Sequence, residues 1–502
     1  MIWLFLATAL AAVPPRTVTR QPGDWEVPAV LDVVTGPTWA TVASRSDLAP
    51  DLLAVLGRSG HSVRPRARAQ VLLDGDPTVP ADGYRVEVSP EGVRVTASTR
   101  LGMRAGLDTL AELARAPTIP AGEYADAPVL RQRWAHVQLP GRSTAGDPLL
   151  ARQKAVVPAL SSVSGTADML PWLSAFAEDA LDARLNGVVI ELNGNFRFDS
   201  HPELALPYAA PLASLRPIVD RLRQAGAAVV PLLPLFAHQE DLLAPAYPDL
   251  LLAPMRVFPQ KRGRAPDALF YWSPLYDPRK AAVQAIVTDL VHEALALFGA
   301  EVLHAGHDEA GALRFVQHSP KEGVDLFVES VEMVRKSAAA RGARTAIWAD
   351  MLLDGHRFPG VAHGNEAGIE TWRALDRIDP SVLLVDWQYA SVPKPWPEKG
   401  EVEDVPSLRY LAASGHPVMG AALGRPVSPE SPFGPWTRQS TRMARTLASL
   451  SETHDVWGQL TCHFAFGPGR LQPWPGTDVA ASLLLAGNVG WTGGSQGLPA
   501  TE

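Results

Sequence analysis

The chain has 502 residues, a formal net charge of -8 and 20% charged residues, enough for a large core and two domains and without the basic excess of a nucleic-acid-binding surface. A single cysteine, Cys462, excludes an intramolecular disulfide and a cysteine-built metal site. With 46 prolines and 14 tryptophans, rigid loops and flat aromatic binding walls are expected.

Residues 1–12 read MIWLFLATALAA, an apolar run too short to span a bilayer. With Ala9-Leu10-Ala11 as the cleavage signal, it reads as a secretory signal outside the fold. An exported protein is therefore expected, periplasmic or secreted, or held at a membrane by this segment. No later run is expected to cross a membrane.

Residues 16–120 read as a small α+β domain. Ala67 to Leu73 is apolar and strand-like. Tyr84-Arg85-Val86-Glu87-Val88 and Val93-Arg94-Val95-Thr96-Ala97 alternate about the turn Ser89-Pro90-Glu91-Gly92, which predicts a hairpin. Leu101 to Ala114 carries helical spacing through Met103, Leu107, Leu110 and Leu113. Arg115 to Asp126 is punctuated by proline and glycine and reads as a linker.

Residues 128–495 alternate strand and helix. The expected strands are Trp134–Leu139, Gly187–Leu192, Ala227–Leu235, Val302–His304, Thr345–Ala349, Val382–Trp387, Val418–Leu423 and Val456–Cys462. Helices are expected at Trp172–Arg184, Leu212–Ala225, Pro278–Phe298, Val324–Ala340, Thr437–Leu450 and Thr477–Ala486. This is the pattern of an α/β protein, a (β/α)8 TIM barrel preceded by a small α+β domain. The competing open doubly wound sheet lacks its glycine-rich loop after the first strand.

Barrel chemistry sits at the C-terminal ends of the strands. The expected strands are followed by Asn193-Gly194-Asn195, by Phe236 through Glu240 with His238, and by His304-Ala305-Gly306-His307-Asp308-Glu309. Then come Trp348-Ala349-Asp350, Asp386-Trp387-Gln388-Tyr389, and Trp457 near the eighth. Carboxylates among aromatic faces suit a sugar. Adjacent carboxylates point to different sides, an awkward nucleophile and acid. They suit a reaction in which one protonates the leaving oxygen and the other orients a nucleophile carried by the substrate. A zinc site from His304, His307 and Asp308, with His238 and Asp350 nearby, is the competing chemistry, but it lacks HExxH-type spacing. No metal or other cofactor is expected.

His304-Ala305-Gly306-His307-Asp308-Glu309 resembles the His-x-Gly-x-Asp-Glu signature of glycoside hydrolase family 20, the β-N-acetylhexosaminidases. Asp82 through Leu113 is similar to the end of that family's accessory domain. Leu185-Asn186, Pro231 through Glu240, Ile347 through Leu352 and Asp386 through Tyr389 look most like its hexosaminidase D-type branch. The resemblance implies exo-acting, substrate-assisted, retaining hydrolysis of terminal β-linked N-acetylglucosamine or N-acetylgalactosamine from an amino-sugar glycan. By position, Asp308 would hold the acetamido N–H. Glu309, with a raised pKa, would be the acid and then the base. Tyr389 would donate to the acetamido oxygen, and Trp348, with Trp387 and Trp457, would wall the sugar. His238 and His304 would line the pocket, and Arg133 stands where the family has its sugar-binding arginine. The pattern departs at Arg133-Trp134, at Glu191 to Asn195 and at His307. Those departures keep open a barrel that binds amino-sugar glycans without cleaving them.

Overall fold

The computed structural model describes residues 14–39, 50–66, 69–139, 166–253, 256–259, 269–358, 364, 368–387, 404–424, 435–464 and 478–494. The N-terminal segment expected to be a signal lies outside them, apart from its flank. The first sheet contains β1 (Thr17–Glu26), β2 (Val30–Thr35), β3 (Ser62–Pro65), β4 (Val71–Gly75), β5 (Tyr84–Ser89), β6 (Gly92–Ala97) and β7 (Thr118–Asp126), in the order β1-β7-β5-β6-β4-β2-β3. The expected hairpin is β5 with β6, antiparallel from Tyr84↔Ala97 to Ser89↔Gly92. Its inward valines, Val86, Val88, Val93 and Val95, are buried. Helix α2 (Arg100–Leu113), which follows the short α1 (Pro50–Leu56), is closed at its start by the Thr99 hydroxyl, which accepts the Gly102 amide.

The stretch expected as a linker is instead β7, which pairs with both β1 and β5. Its proline sits opposite Asp24, beside a bulge, where a missing N–H does little harm. Its glycine is a close-approach position: a Cβ on Gly122 would come within 2.1 Å of the Thr19 carbonyl oxygen. The turn-like composition thus marks an irregular strand, and the sheet extends to Asp126.

Eight parallel strands close the barrel: β8 (Gln132–Gln138), β9 (Gly187–Glu191), β10 (Ala228–Leu235), β11 (Val302–Gly306), β12 (Arg344–Trp348), β13 (Leu383–Trp387), β14 (Val418–Leu423) and β15 (Val456–Phe464). β15 returns to pair with β8 from Gly458↔Gln132 to Phe464↔Gln138. Outside them pack α3 (Leu170–Asp182), α4 (Arg216–Gln224), α5 (Ala281–Phe298), α6 (Pro320–Ala339), α7 (Pro406–Ala413), α8 (Pro435–Leu450) and α9 (Asp478–Thr492). The two-residue alternation of each strand separates two cores. Ala135, Val137, Val188, Ile190, Leu303 and Ala305 join the helices. Trp134, Val189, Leu232, Val302, Trp348 and Val385 fill the interior.

The helix expected from Pro278 starts at Ala281, because Asp277 draws the chain into a turn. Its carboxylate accepts the Arg279 amide at 3.1 Å, and its carbonyl accepts the Lys280 amide at 3.2 Å. The next helix starts earlier than expected, at Pro320, where the Ser319 hydroxyl accepts the Glu322 amide and Glu322 accepts the His318 amide. Among the described helices, α5 is long and apolar enough to cross a membrane. It is a barrel helix, however, with Val283, Val287, Leu290, Val291 and Ala294 buried.

The two domains are joined by charge as well as by apolar packing. Trp491 of α9 enters the core of the first domain, and its indole N–H donates to Asp126 at 2.8 Å. Asp82 accepts from Arg133 at 3.1 Å and from the Asn186 amide at 2.9 Å. This corrects the expectation that Arg133 lines a sugar pocket. Arg133 has the outward parity of Ala135 and Val137 and lies at the N-terminal end of β8, where Trp134 pairs with Gly187. Its guanidinium also donates to the Leu130 carbonyl at 3.0 Å and lies over Trp491. The side chain of Arg133 is 1% exposed and that of Asp82 12%, so removing the carboxylate strands a buried cation. Asp82→Ala is expected to cost about 3–5 kcal/mol in denaturant unfolding; a cost below about 1 kcal/mol would show that the pair does not hold the interface.

Candidate active site

The chain leaves β11 through an unusual turn. Gly306, His307 and Glu309 all have positive φ, at 64°, 70° and 49°. Gly306 crosses β10 so closely that a Cβ would lie 3.1 Å from the Leu235 nitrogen. A left-handed residue that carries a Cβ costs about 1–2 kcal/mol. At His307 two hydrogen bonds, at about 1 kcal/mol each, offset this. Nδ1 donates to the Ala305 carbonyl at 2.7 Å, so Nε2 accepts from the Ser330 hydroxyl of α6 at 2.9 Å. The Tyr276 hydroxyl lies 2.9 Å from the same Ser330 oxygen and donates to it. The buried imidazole stacks on Phe236 with centroids 5.9 Å apart. Burial lowers its pKa to about 4, so the ring is neutral. Both nitrogens are used, which takes His307 out of the zinc set considered above. Among the described residues, no group of three or more His, Cys, Asp or Glu is placed to hold an ion.

This turn presents Asp308 and Glu309 at the C-terminal mouth of the barrel, with side chains 24% and 50% exposed. The loop after β10 brings His238 between them. Its Nε2 lies 3.4 Å from Asp308 Oδ2 and 3.7 Å from Glu309 Oε2. Its Nδ1 lies 2.9 Å from the Ser273 hydroxyl and 3.4 Å from Glu240 Oε1. Burial opposes a charge on the ring, but the Asp308 carboxylate, its hydrogen bond and Glu240 outweigh burial, and the pKa is raised well above the ordinary value. Burial likewise opposes the Asp308 anion, and the His238 imidazolium overcomes it, so the Asp308 pKa is lowered. Asp350, beyond the end of β12, accepts the Glu309 amide at 3.0 Å and fixes the turn from the other side.

Of the other expected site residues, His304 is on the interior face of β11, and its ring is 4.3 Å from that of Trp348 on β12. Trp387 is the last residue of β13, partly buried and in contact with the interior cluster. Trp457 does not reach this mouth. It stands at the start of β15, edge-on to Trp134 at 6.1 Å and beneath Arg344, the first residue of β12. Proximity in sequence to the eighth strand did not say which end of it. Tyr389 lies outside the described residues.

Residues 14–127 match the family description "Glycosyl hydrolase family 20, domain 2". Solved structures of three proteins resemble almost the whole chain. The family 20 β-N-acetylhexosaminidase of Streptomyces coelicolor A3(2) is 16% identical, with a TM-score of 0.62 over 96% of this chain and 92% of its own. The Streptomyces plicatus N-acetyl-β-hexosaminidase, solved with Thio-NAglucal, is 16% identical, with a TM-score of 0.61 over 96% and 90%. The Bacteroides fragilis β-N-acetylhexosaminidase is 14% identical, with a TM-score of 0.59 over 96% and 91%. The chain has the family 20 fold. A search by sequence among curated proteins finds no match.

Within this family 20 fold, sequence reasoning missed a polar group in the barrel interior. Glu191, the last residue of β9, accepts from the His136 ring at 3.1 Å and from the Gln138 amide at 2.7 Å, both from β8. The signal was present, since Glu191 shares the inward parity of Val189. What was lacking was the partner strand. His304 adds a polar atom without a partner. Its Nδ1 accepts the Gly306 amide at 3.2 Å, and burial, with the neighbouring His136, lowers its pKa to about 3. Nε2 therefore carries the proton, and it is buried with no acceptor. An unsatisfied donor of this kind costs about 1–3 kcal/mol.

The charges at the mouth make a stability test. The pKa of His238 in the fold lies above its unfolded value of about 6.5, so its pairing stabilises fully below that pH and is lost as pH rises through the folded pKa. The pKa of Asp308 lies below its unfolded value of about 3.9, so its share is present above that pH and is lost as pH falls through the folded pKa. His238→Gln is expected to flatten the alkaline decline of Tm in melts from about pH 5 to 10. Parallel curves for variant and wild type would mean that the imidazolium contributes nothing.

Proposed function

We propose that the protein is an exo-acting β-N-acetylhexosaminidase, closest in pattern to the hexosaminidase D-type branch, that releases terminal β-linked N-acetylglucosamine or N-acetylgalactosamine with retention. The observation that carries this reading is the Asp308–Glu309 pair, turned into the barrel mouth on a left-handed turn with His238 between the two carboxylates. The solved structures that share the fold are described as β-N-acetylhexosaminidases, which agrees with it.

In this reading Asp308, kept anionic beside His238, accepts the acetamido N–H and turns the acetamido oxygen toward C1. That oxygen bonds to C1 as the glycosidic C–O bond breaks, and Glu309 gives its proton to the leaving oxygen. Water then attacks C1 and yields its proton to Glu309, while the bond from C1 to the acetamido oxygen breaks. Two displacements at one carbon leave its configuration unchanged. The half-exposed Glu309 side chain can reach both leaving group and water. His304, Trp348 and Trp387 would line the pocket, and Tyr389 would steady the acetamido oxygen. An exported location, read from residues 1–12, belongs to the same proposal.

Aryl β-N-acetylglucosaminide should be cleaved and the matching aryl β-glucoside should not, because only the first carries the nucleophile. Glu309→Gln should remove nearly all turnover, about 10³-fold or more, while sugar binding persists. Asp308→Asn should lower kcat by about 10²–10³-fold with little change in KM. Full activity in either variant would refute the assignment. Amino-sugar binding by a wild type that cleaves neither substrate would select the binding-only barrel instead.

A further inference from the structure

The barrel interior beneath the two carboxylates carries more polar groups than the proposed chemistry uses. Strands β8, β9 and β11 contribute His136, Gln138, Glu191 and His304, around Trp348. The Trp348 ring is near both histidines, with centroids 4.3 Å from that of His304 and 6.2 Å from that of His136. In register, Gln138 follows the Val137↔Ile190 pair, so it is level with Glu191. Leu232 of β10 pairs with both Glu191 and His304. Gln138 and Glu191 are therefore level on neighbouring strands, and His304 stands across the intervening Leu232 from Glu191, all three on inward faces.

This set is a built site and not a stray polar patch. The Glu191 carboxylate is clamped by one donor on each oxygen, which fixes its plane and leaves each oxygen able to accept again. The His304 residue is 2% exposed, and its protonated Nε2 has no acceptor. A fixed acceptor and an orphaned donor on inward faces of one barrel are the complement of the hydroxyl groups of a single ring, each of which can give or take a hydrogen bond. Trp348, beside His304 and His136, supplies the flat apolar surface that a pyranose face requires. The alternatives for an unpartnered buried donor are an ordered water or a ligand oxygen, and the test below separates the two.

Resting on the amino-sugar reading above, we infer that Glu191, held by His136 and Gln138, together with His304 forms a hydroxyl-reading floor that selects the ring hydroxyls of the bound N-acetylhexosamine. Glu191 accepts from one hydroxyl and His304 donates to a hydroxyl oxygen. This set would do in this chain the recognition that Arg133, committed to Asp82 at the domain interface, cannot do. Glu191 and His304 are here binding residues, and His136 and Gln138 are positioning residues that act through Glu191.

The test is calorimetric binding of free N-acetylglucosamine and its 3-, 4- and 6-deoxy analogues to the full chain. In wild type, loss of one hydroxyl should weaken binding about 10–100-fold, the range of a hydrogen bond to a charged group. Glu191→Gln should weaken the parent sugar by a similar factor and become indifferent to that same deletion, a coupling that a general loss of structure would not produce. His304→Phe keeps a flat ring beside Trp348 and removes the N–H. It should lose affinity about 5–10-fold for the parent sugar. Binding of all deoxy analogues within about twofold by wild type, or of the parent sugar by Glu191→Gln as by wild type, overturns the inference and leaves the floor to water. If Glu191→Gln does not fold, the wild-type deoxy series and His304→Phe decide the question. A wild type that binds no N-acetylhexosamine would refute the amino-sugar reading itself, and this inference with it. That result is distinct from binding that the variants fail to alter.

Discussion

Two carboxylates on consecutive residues at the mouth of a low-dielectric barrel repel each other, and the arrangement of the surrounding loops answers that repulsion. His238 brings an imidazolium within 3.4 Å of Asp308 and 3.7 Å of Glu309, and Glu240 with Ser273 secures its far side. The turn that aims the pair is held from below by His307, Ser330 and Tyr276 and from the side by Asp350. Three successive β-α connections therefore converge on one pair of side chains. A parallel barrel makes this convergence available, because every strand ends at the same rim.

The same alternation that exposes chemistry at the rim assigns charge elsewhere. Arg133 faces outward and neutralises Asp82 at the joint between domains, while Trp491 crosses from the last barrel helix into the core of the first domain. Neither residue touches the mouth. Their burial makes the small domain part of the barrel's own stability, so the two are expected to unfold together.

The barrel was legible because its strands are continuous apolar runs, buried on both faces, separated by helices of ordinary length. The motif His304 through Glu309 was legible because ionisable residues at the end of such a run are costly unless used. Strand β7 was not legible, since Pro120 and Gly122 read as punctuation; the bulge that tolerates the proline and the Thr19 carbonyl that demands the glycine belong to another strand. His307 could be read as a metal ligand, and Ser330, far along the chain on α6, joins the Ala305 carbonyl and Phe236 in fixing it as a buried support.

The sequence by itself determined the order of strands and helices, the α+β domain before the barrel and the strand end that carries Asp308 and Glu309, because periodicity and local composition are properties of neighbours along the chain. Which end of a strand and which face of the barrel a residue occupies was decided by tertiary structure. Arg133 and Trp457 fell at the wrong end for a sugar, and Glu191 came to lie beside His136 and Gln138. Closure of the barrel joins β15 to β8 and sets the register of every pair. Register fixes which side chains share a layer, and no local pattern in the chain encodes it.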